Sequence, residues 1–225
     1  MTRHFVPSNL NPDNEKEIIK LYELLLMREI PVNAAKLRDW IMDWSELESV
    51  LAEVSSRRYV AMTCNTQDEA AAKAYGDFIE NIQPIINEFD DKLNRKLVAH
   101  PSKDALKGEF GEWFKGVQVS LDLFSPANIP LETEENKEIQ AYQKITGGMS
   151  VEFDGETKTM QQLAAYMEKT DRGLRERAWR TMWERRLQDK VALDDAYDKL
   201  FSIRKKIAKN AHCKDFIDYI FLAKH

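Results

Sequence analysis

Glycine and proline are scarce in this sequence. Eight glycines and seven prolines give 15 of 225 residues, about 7% of the chain, against about 12% in an average protein. The chain therefore has too few turn-forming residues for a many-stranded β protein or a collagen-like chain. Because 43% of the residues are hydrophobic, a chain of this length has enough apolar material for a buried core. The composition favours a folded, helical protein.

Cysteine is almost absent as well. Cys64 and Cys213 lie far apart and form no CxxC pair, which excludes a disulfide framework and a thiolate zinc cluster and is typical of a reducing compartment. Residues 1–7 lack the apolar stretch of a signal peptide, and no window approaches the roughly 20 apolar residues of a membrane span. The sequence predicts a cytoplasmic protein with no membrane partner.

Charge of one sign is also lacking, since 33 basic and 38 acidic residues leave a net charge of -5. Such a chain has no general attraction to phosphate backbones. One segment suggests otherwise, because arginines alternate there with Trp179 and Trp183, as on a nucleic-acid stacking surface. Acidic residues dilute that segment, so we favour a helix with its tryptophans in the core and its arginines in ion pairs, and we expect no nucleic-acid partner. The arginines are Arg172, Arg175, Arg177, Arg180, Arg185 and Arg186.

Apolar residues recur at steps of three and four through most of the chain, which predicts long amphipathic helices. A proline, Pro84, should kink or divide one of them. The predicted helix over residues 171–211 would be roughly 60 Å long if its 41 residues were unbroken. The stretch over residues 101–130, punctuated by three glycines, is predicted to form short helices and loop. The predicted helices cover residues 14–31, 33–54 with a continuation toward Cys64, 66–99, 136–145 and 171–211.

The apolar period changes to two at Met149, Val151 and Phe153, directly before the turn signal Asp154-Gly155. This alternation predicts a β-hairpin. After the hairpin, residues 159–162 read as a capping box that opens a short helix.

No local group of residues in the sequence carries catalysis. The four histidines, His4, His100, His212 and His225, include no HExxH motif and no pair at a spacing of three or four. His212 beside Cys213 is explained by a helix end without a metal. No phosphate-binding glycine loop occurs. Most residues of the carboxylate clusters are predicted to lie on solvated helix faces. The clusters are Asp90 with Asp91, Glu132 with Glu134 and Glu135, and Asp194 with Asp195 and Asp198.

Several other chemistry-bearing residues are better explained by packing. Cys64 follows an apolar run and is predicted to be a small packed residue. The tryptophans Trp40, Trp44 and Trp113 are predicted to lie in the core rather than in a ligand cage.

Three stretches carry a family resemblance: YQKITGGMSVEFDGETKTMQQL at residues 142–163, DRGLRERAW at 171–179 and IRKKIAKNA at 203–211. Together they resemble the N-terminal half of the oligoendopeptidase F group, relatives of thimet oligopeptidase. Directly after the third stretch this chain has His212, where such proteins often have glycine. This difference affects only how the helix that contains the third stretch is expected to end.

The resemblance implies an α-helical metallopeptidase that encloses a deep channel, admits short unfolded peptides and excludes folded proteins by size. It also implies a zinc ion held by the two histidines of HExxH and a later glutamate, with the glutamate of the motif as the base. No position of this sequence matches that motif. No catalytic or metal-binding residue is therefore assigned, and zinc is expected in the full-length family member but not in this chain alone.

The sequence thus predicts a mainly α fold, a multi-helix bundle with long helices and one small β-hairpin at about residues 149–159. We interpret it as one helical N-terminal region without the catalytic domain, with a bundle part over residues 1–129 and a hairpin and long-helix part over 130–225. Residues 216–222 are densely apolar up to the C-terminus, which is typical of a chain cut inside a structured element.

The expected partners follow from this interpretation. They are short peptides bound through the complete enzyme, the missing C-terminal catalytic half, and a second copy through the apolar terminus. The alternative is a non-catalytic helical scaffold that binds peptides or a partner protein.

Overall fold

A computed structural model describes residues 3–224 of the chain. Met1, Thr2 and His225 lie outside the described residues, and so do the predictions that concern them. The helices are α1 Glu15–Met27, α2 Ala34–Cys64, α3 Glu69–Asp77, α4 Gln83–Val98, α5 Lys107–Leu123, α6 Ile129–Gly147, α7 Met160–Ala164, α8 Arg172–Gln188, α9 Lys190–Asn210 and α10 Phe216–Ala223. The strands β1 Ser150–Phe153 and β2 Glu156–Thr159 pair antiparallel. The predicted mainly α class with one small hairpin is confirmed.

Side-chain caps begin several helices where the sequence predicts a start. The side chains of Asn14 and Asn33 accept hydrogen bonds from the first backbone N–H groups of α1 and α2. Thr159 and Gln162 form both hydrogen bonds of the predicted capping box at α7. These contacts satisfy N–H groups that have no partner within the helix. The continuation of α2 to Cys64 is also confirmed.

Pro84 lies in the first turn of α4, and a five-residue π-helical turn, Phe78–Ile82, separates α4 from α3. The predicted interruption near Pro84 is confirmed. An unbroken helix over residues 171–211 is wrong, because it divides into α8 and α9 at Asp189. The backbone N–H of Asp189 closes the last turn of α8, and its carboxylate pairs with Arg185.

The prediction of short helices and loop over residues 101–130 is wrong for α5, which runs unbroken for 17 residues. Each interior glycine costs a helix about 1 kcal/mol relative to alanine. Packing offsets that cost, since Phe110, Phe114 and Val117 lie against the main core. Helix α6 is likewise longer than predicted, because Pro130 lies in its first turn rather than before its start.

The main core lies between α1, α2 and α4, where Tyr22, Trp40 and Leu93 are fully buried. A second, smaller core holds the hairpin against α7 and α8 through Phe153, Leu163 and Ala178. Helices α6 and α9 pack against each other. The boundary proposed at residue 129 stays a prediction.

Cys64 and Trp40 test two predictions about which side chains are buried. Cys64 is exposed, so the prediction of a packed residue is wrong; it ends α2, beyond the buried part of that helix. Trp40 is buried as predicted, with its Nε1 donating to the carbonyl oxygen of Leu25 at 2.9 Å.

Within residues 3–224, no helix combines the length and apolar character that a membrane crossing needs.

Candidate functional site

A pocket of about 750 Å³ opens between α2, α4, α5, α6 and α10. Helix α2 contributes Trp44 and Glu48 to its wall, α4 contributes Asp90, α5 contributes Trp113, and α6 contributes Glu132. A pocket of this size, apolar with a few convergent polar groups, is the usual form of a small-ligand site.

Two carboxyl groups on facing helices, Glu48 and Asp90, are largely withdrawn from water in this pocket. Burial, and next the charge of Glu48, raises the pKa of Asp90 to about 8. Burial also raises the pKa of Glu48, while a hydrogen bond from the Tyr22 hydroxyl to Glu48 opposes that rise. The pair therefore retains a proton at neutral pH, because two like charges so close together are costly in a low dielectric.

Glu132 is a third largely buried carboxyl at the same pocket. Its pKa is raised by burial, although its Oε2 accepts a hydrogen bond from the Asn87 side chain at 2.7 Å. The prediction of solvated helix faces is therefore wrong for Asp90 and Glu132. Their helices turn these positions toward α2 and α4 rather than toward water, which local sequence does not show.

Aromatic rings form another part of the pocket wall. Trp44 is 5% exposed, and its ring centroid lies 5.6 Å from that of Trp113 in an edge-to-face arrangement. Trp113 is 39% exposed and also contacts Phe110. The core prediction therefore holds for Trp44 but is wrong for Trp113, which reaches the pocket mouth. The indole N–H of Trp44 lies beside the carboxyl groups of Glu48 and Asp90, which also hydrogen-bond each other.

The histidines lie in separate parts of the fold. His4 is exposed near the N-terminus, and Nε2 of His100 lies 3.3 Å from the carbonyl oxygen of Ile30. His212 has a φ of 58°, the left-handed conformation that glycine usually supplies just after a helix. This explains how α9 ends without a glycine.

A zinc site does not fit the described residues. In residues 3–224, no group of three or more histidine, cysteine, aspartate and glutamate side chains is arranged to hold a metal ion. Cys213 is not an activated nucleophile either, because burial and the charges of Asp218 and Asp215 raise the pKa of its thiol.

Two exposed apolar stripes run along α8 and α9. The α8 stripe consists of Trp179, Trp183 and Leu187, spaced four residues apart and 46%, 42% and 61% exposed. The α9 stripe consists of Tyr197 and Phe201, 67% and 55% exposed, with stacked rings. The prediction that the tryptophans of this segment lie in the core is therefore wrong.

The arginines of α8 follow the prediction more closely. Arg177 pairs with Asp154 and Arg180 with Glu176, each at 2.8 Å, and Arg185 pairs with Asp189. These three ion pairs confirm the predicted role for half of the six arginines.

Comparison with solved structures shows how much of a larger protein this fold represents. A protein described as an oligoendopeptidase F from Bacillus anthracis strain Ames matches with a TM-score of 0.88 and 21% identity, over 98% of this chain and 41% of its own. A second structure described as oligoendopeptidase F matches with a TM-score of 0.84 and 22% identity, over 97% of this chain and 38% of its own. PZ peptidase A, solved with an inhibitor, matches with a TM-score of 0.83 and 24% identity, over 97% and 39%. The chain thus spans about two fifths of these proteins.

Sequence comparison gives the family. No curated protein sequence matches the chain. The family model described as the peptidase M3 N-terminal domain matches residues 12–124, which is 113 of the 225 residues. This range holds α1 to α5 and therefore most of the pocket wall. The chain belongs to the peptidase M3 family, of whose oligoendopeptidases it represents an N-terminal portion.

Proposed function

We propose that this chain is the N-terminal, channel-forming part of a zinc-dependent oligoendopeptidase that hydrolyses short peptides. The observation that carries the proposal is the match of 98% of this chain to 41% of an oligoendopeptidase F structure. In this proposal the chain lines one side of a peptide channel and supplies no zinc ligand. A catalytic part of the protein outside these residues would hold the zinc, which would supply Lewis-acid chemistry for the hydrolysis.

The exposed apolar stripes support a partner for this chain. Single exposed apolar residues are ordinary on a protein surface, but aligned aromatic stripes mark interaction sites. Covering the exposed half of one large side chain contributes about 1 kcal/mol, so the α8 and α9 stripes together favour association by several kcal/mol. We propose that the catalytic part covers them. A cytoplasmic location belongs to the same proposal and rests on two unpaired cysteines.

A complementation experiment tests this function. The chain would be purified alone and together with the polypeptide encoded in frame after it, and zinc content and cleavage of a quenched fluorescent peptide would be measured. We expect cleavage and about one zinc ion per complex only when both parts are present. Zinc-dependent cleavage by the 225-residue chain alone would contradict the proposal, and so would a reading frame with no HExxH-encoding continuation.

Matched variants test the role of the stripes. Trp183→Glu on the α8 stripe should weaken complementation because it places a charge on the proposed interface. Val32→Glu changes an apolar side chain that is 75% exposed before α2, and it should leave complementation unchanged. Equal effects of the two substitutions would show that the α8 stripe is not the interface.

A further inference from the structure

Helix α8 is strongly basic in a chain that is acidic overall. It carries six arginines and two glutamates, whereas the whole chain has a net charge of -5. The α8 stripe of Trp179, Trp183 and Leu187 runs along this helix, and all three side chains are exposed. An exposed aromatic stripe beside charge of one sign indicates an interaction surface whose partner carries the opposite charge.

Ion pairs leave half of the α8 arginines without a carboxylate. In the part of the chain that the structure describes, ion pairs compensate Arg177, Arg180 and Arg185. The other three form no ion pair there, and these are Arg172, Arg175 and Arg186. Glu184 also has no ion pair within residues 3–224, but it follows Trp183 by one residue and therefore projects about 100° away from it.

Two of the arginines without a carboxylate lie close to the stripe. The guanidinium carbon of Arg186 lies over the Trp183 ring, 5.2 Å from its centroid. Arg172 precedes Trp179 by seven residues, about two helical turns, so the two side chains share one face of α8. Side chains spaced four residues apart form a ridge that packs into the groove of a second helix. A helix that covers the stripe therefore meets both charges.

A shallow pocket of about 410 Å³ lies at the N-terminal end of the stripe. Its walls combine the apolar side chains of Met167 and Trp179 with those of Arg172 and Arg175. Arg175 donates to two backbone carbonyl oxygens just before α8, at 2.7 and 3.0 Å, so its charge is held in place. The acidic group of the pocket, Glu176, already has an ion-pair partner on α8. The pocket therefore fits a carboxylate, which guanidinium groups bind through charged hydrogen bonds.

We propose that the α8 stripe binds an acidic amphipathic helix of the catalytic part. The apolar face of that helix covers the stripe, and its carboxylates pair with Arg172, Arg175 and Arg186. The solved relatives are long enough to supply such an element, because this chain spans about two fifths of them. The inference deepens the proposed function and rests on it for the identity of the partner.

Association kinetics between the two parts test the charge of the interface. The purified chain would be immobilised, and the polypeptide encoded in frame after it would bind from solution in biolayer interferometry, without zinc or substrate. We expect the association rate to fall about tenfold or more between 50 and 500 mM NaCl, because opposite charges steer the encounter and salt screens them.

Matched variants locate the charges. Arg172→Gln combined with Arg186→Gln should slow association about fivefold or more and flatten the salt dependence, with folding checked by circular dichroism. The control is Lys36→Gln combined with Arg57→Gln, which removes the same charge from α2. Both control side chains are exposed and pair with a carboxylate of their own helix, so the association rate should change less than about twofold.

Two model peptides test the same surface without the catalytic part. Each is a blocked helix of three repeats, with Leu-Glu-Ala-Leu-Glu-Ala-Glu in one peptide and lysine in place of glutamate in the other. In fluorescence anisotropy at 50 mM NaCl, we expect the glutamate peptide to bind about fivefold more tightly or better. The net charge of -5 alone would favour the lysine peptide, so a preference for glutamate reports the local charge of α8.

Several outcomes would overturn the inference. They are absent or salt-insensitive association of the two parts, equal effects of the α8 and α2 double variants, and tighter binding of the lysine peptide. Tighter binding of a 20-nucleotide thymidine oligomer than of the glutamate peptide would also overturn it, because the surface would then belong to a nucleic acid. A salt-sensitive complex that cleaves no peptide would contradict only the proposed function, and an active complex indifferent to salt and to the arginines would contradict only the inference.

Discussion

Substituting Asp90 should change how the stability of this protein depends on pH. The pKa of Asp90 is raised from 3.8 to about 8, first by burial and next by the charge of Glu48. Between these two values the folded protein binds a proton that the unfolded chain releases. The free energy of unfolding therefore falls as pH rises, by at most about 1.4 kcal/mol per pH unit. This stabilising contribution is complete below about pH 4 and lost above about pH 8.

The expected effect is large for a protein of this size. From pH 5 to pH 8 the decline amounts to at most about 4 kcal/mol, against a total stability on the order of 5–15 kcal/mol. Asp90→Asn removes the titrating group and its repulsion with Glu48. The variant should lose most of the decline and be more stable than the natural chain at pH 8.

Urea unfolding at pH 5, 6, 7 and 8, followed by far-ultraviolet circular dichroism, would give the free energy of unfolding at each pH for the natural chain and for Asp90→Asn. The matched control is Asp198→Asn, an exposed carboxyl on α9, which should keep the decline of the natural chain. Equal stability of the natural chain at pH 5 and pH 8, or a full slope retained by Asp90→Asn, would show that Asp90 does not keep a proton in the folded protein.

Three further predictions concern local packing and hydrogen bonds, each measured by urea unfolding at pH 6. Gly147→Ala should destabilise the protein by about 1–3 kcal/mol, because the new Cβ would lie 2.6 Å from the side chain of Thr66. Lys96→Met should cost about 2 kcal/mol, because the ammonium group donates to three carbonyl oxygens at the end of α1. Thr159→Ala should cost about 1 kcal/mol through loss of the capping box.

Each of these predictions has a control on the same chain. Gly111→Ala adds a methyl group with no atom within 4 Å inside a helix, so it should stabilise the protein by about 0.5–1 kcal/mol; destabilisation there would refute the packing account. Lys92→Met breaks an exposed ion pair with Glu88 and a cation–π contact with Phe89, and it should change stability by less than about 1 kcal/mol. Thr159→Ser should recover the loss of the alanine variant, since a serine hydroxyl caps equally well.

Local signals in the sequence predict much of the secondary structure. Asn14, Asn33 and Thr159 cap helices because their side chains satisfy backbone groups two or three residues away, which spacing alone reveals. The hairpin is also local, since a change of apolar period meets a turn dipeptide whose residues, Asp154 and Gly155, both have positive φ. Such features need no knowledge of what packs against them.

The glycine-rich helix and the exposed tryptophans were not predictable in this way. Helix α5 survives its glycines because Phe110 and Phe114 pack on distant helices, and that contact is not encoded within residues 107–123. Trp179 and Trp183 have the spacing of a buried stripe, yet they are 46% and 42% exposed. A periodic pattern shows which face is apolar but not what covers it.

The acidic pair is the clearest case of a site hidden from sequence. Glu48 and Asp90 are 42 positions apart on two helices, and each has another carboxylate close by in the sequence, Glu46 for the first and Asp91 for the second. Only the packing of α2 against α4 brings them together and excludes water. Phe89, which stacks on Tyr22 at 5.0 Å, marks α4 as a core helix, but a neighbouring aspartate in such a helix is usually solvated.

The π-helical turn at Phe78–Ile82 determines where this helical segment can lose a residue without harm. Such a turn holds one residue more than the α-helical turn it replaces, so deleting one residue there would restore a regular helix and leave Asp90 and Lys96 facing their present neighbours. A deletion between Pro84 and Asp90 would instead remove a residue from a regular α-helix, in which each residue advances the helix by about 100°, and would turn one side of α4 away from its neighbours. Homologues should therefore tolerate the loss of a residue at 78–82 more readily than in the rest of α4.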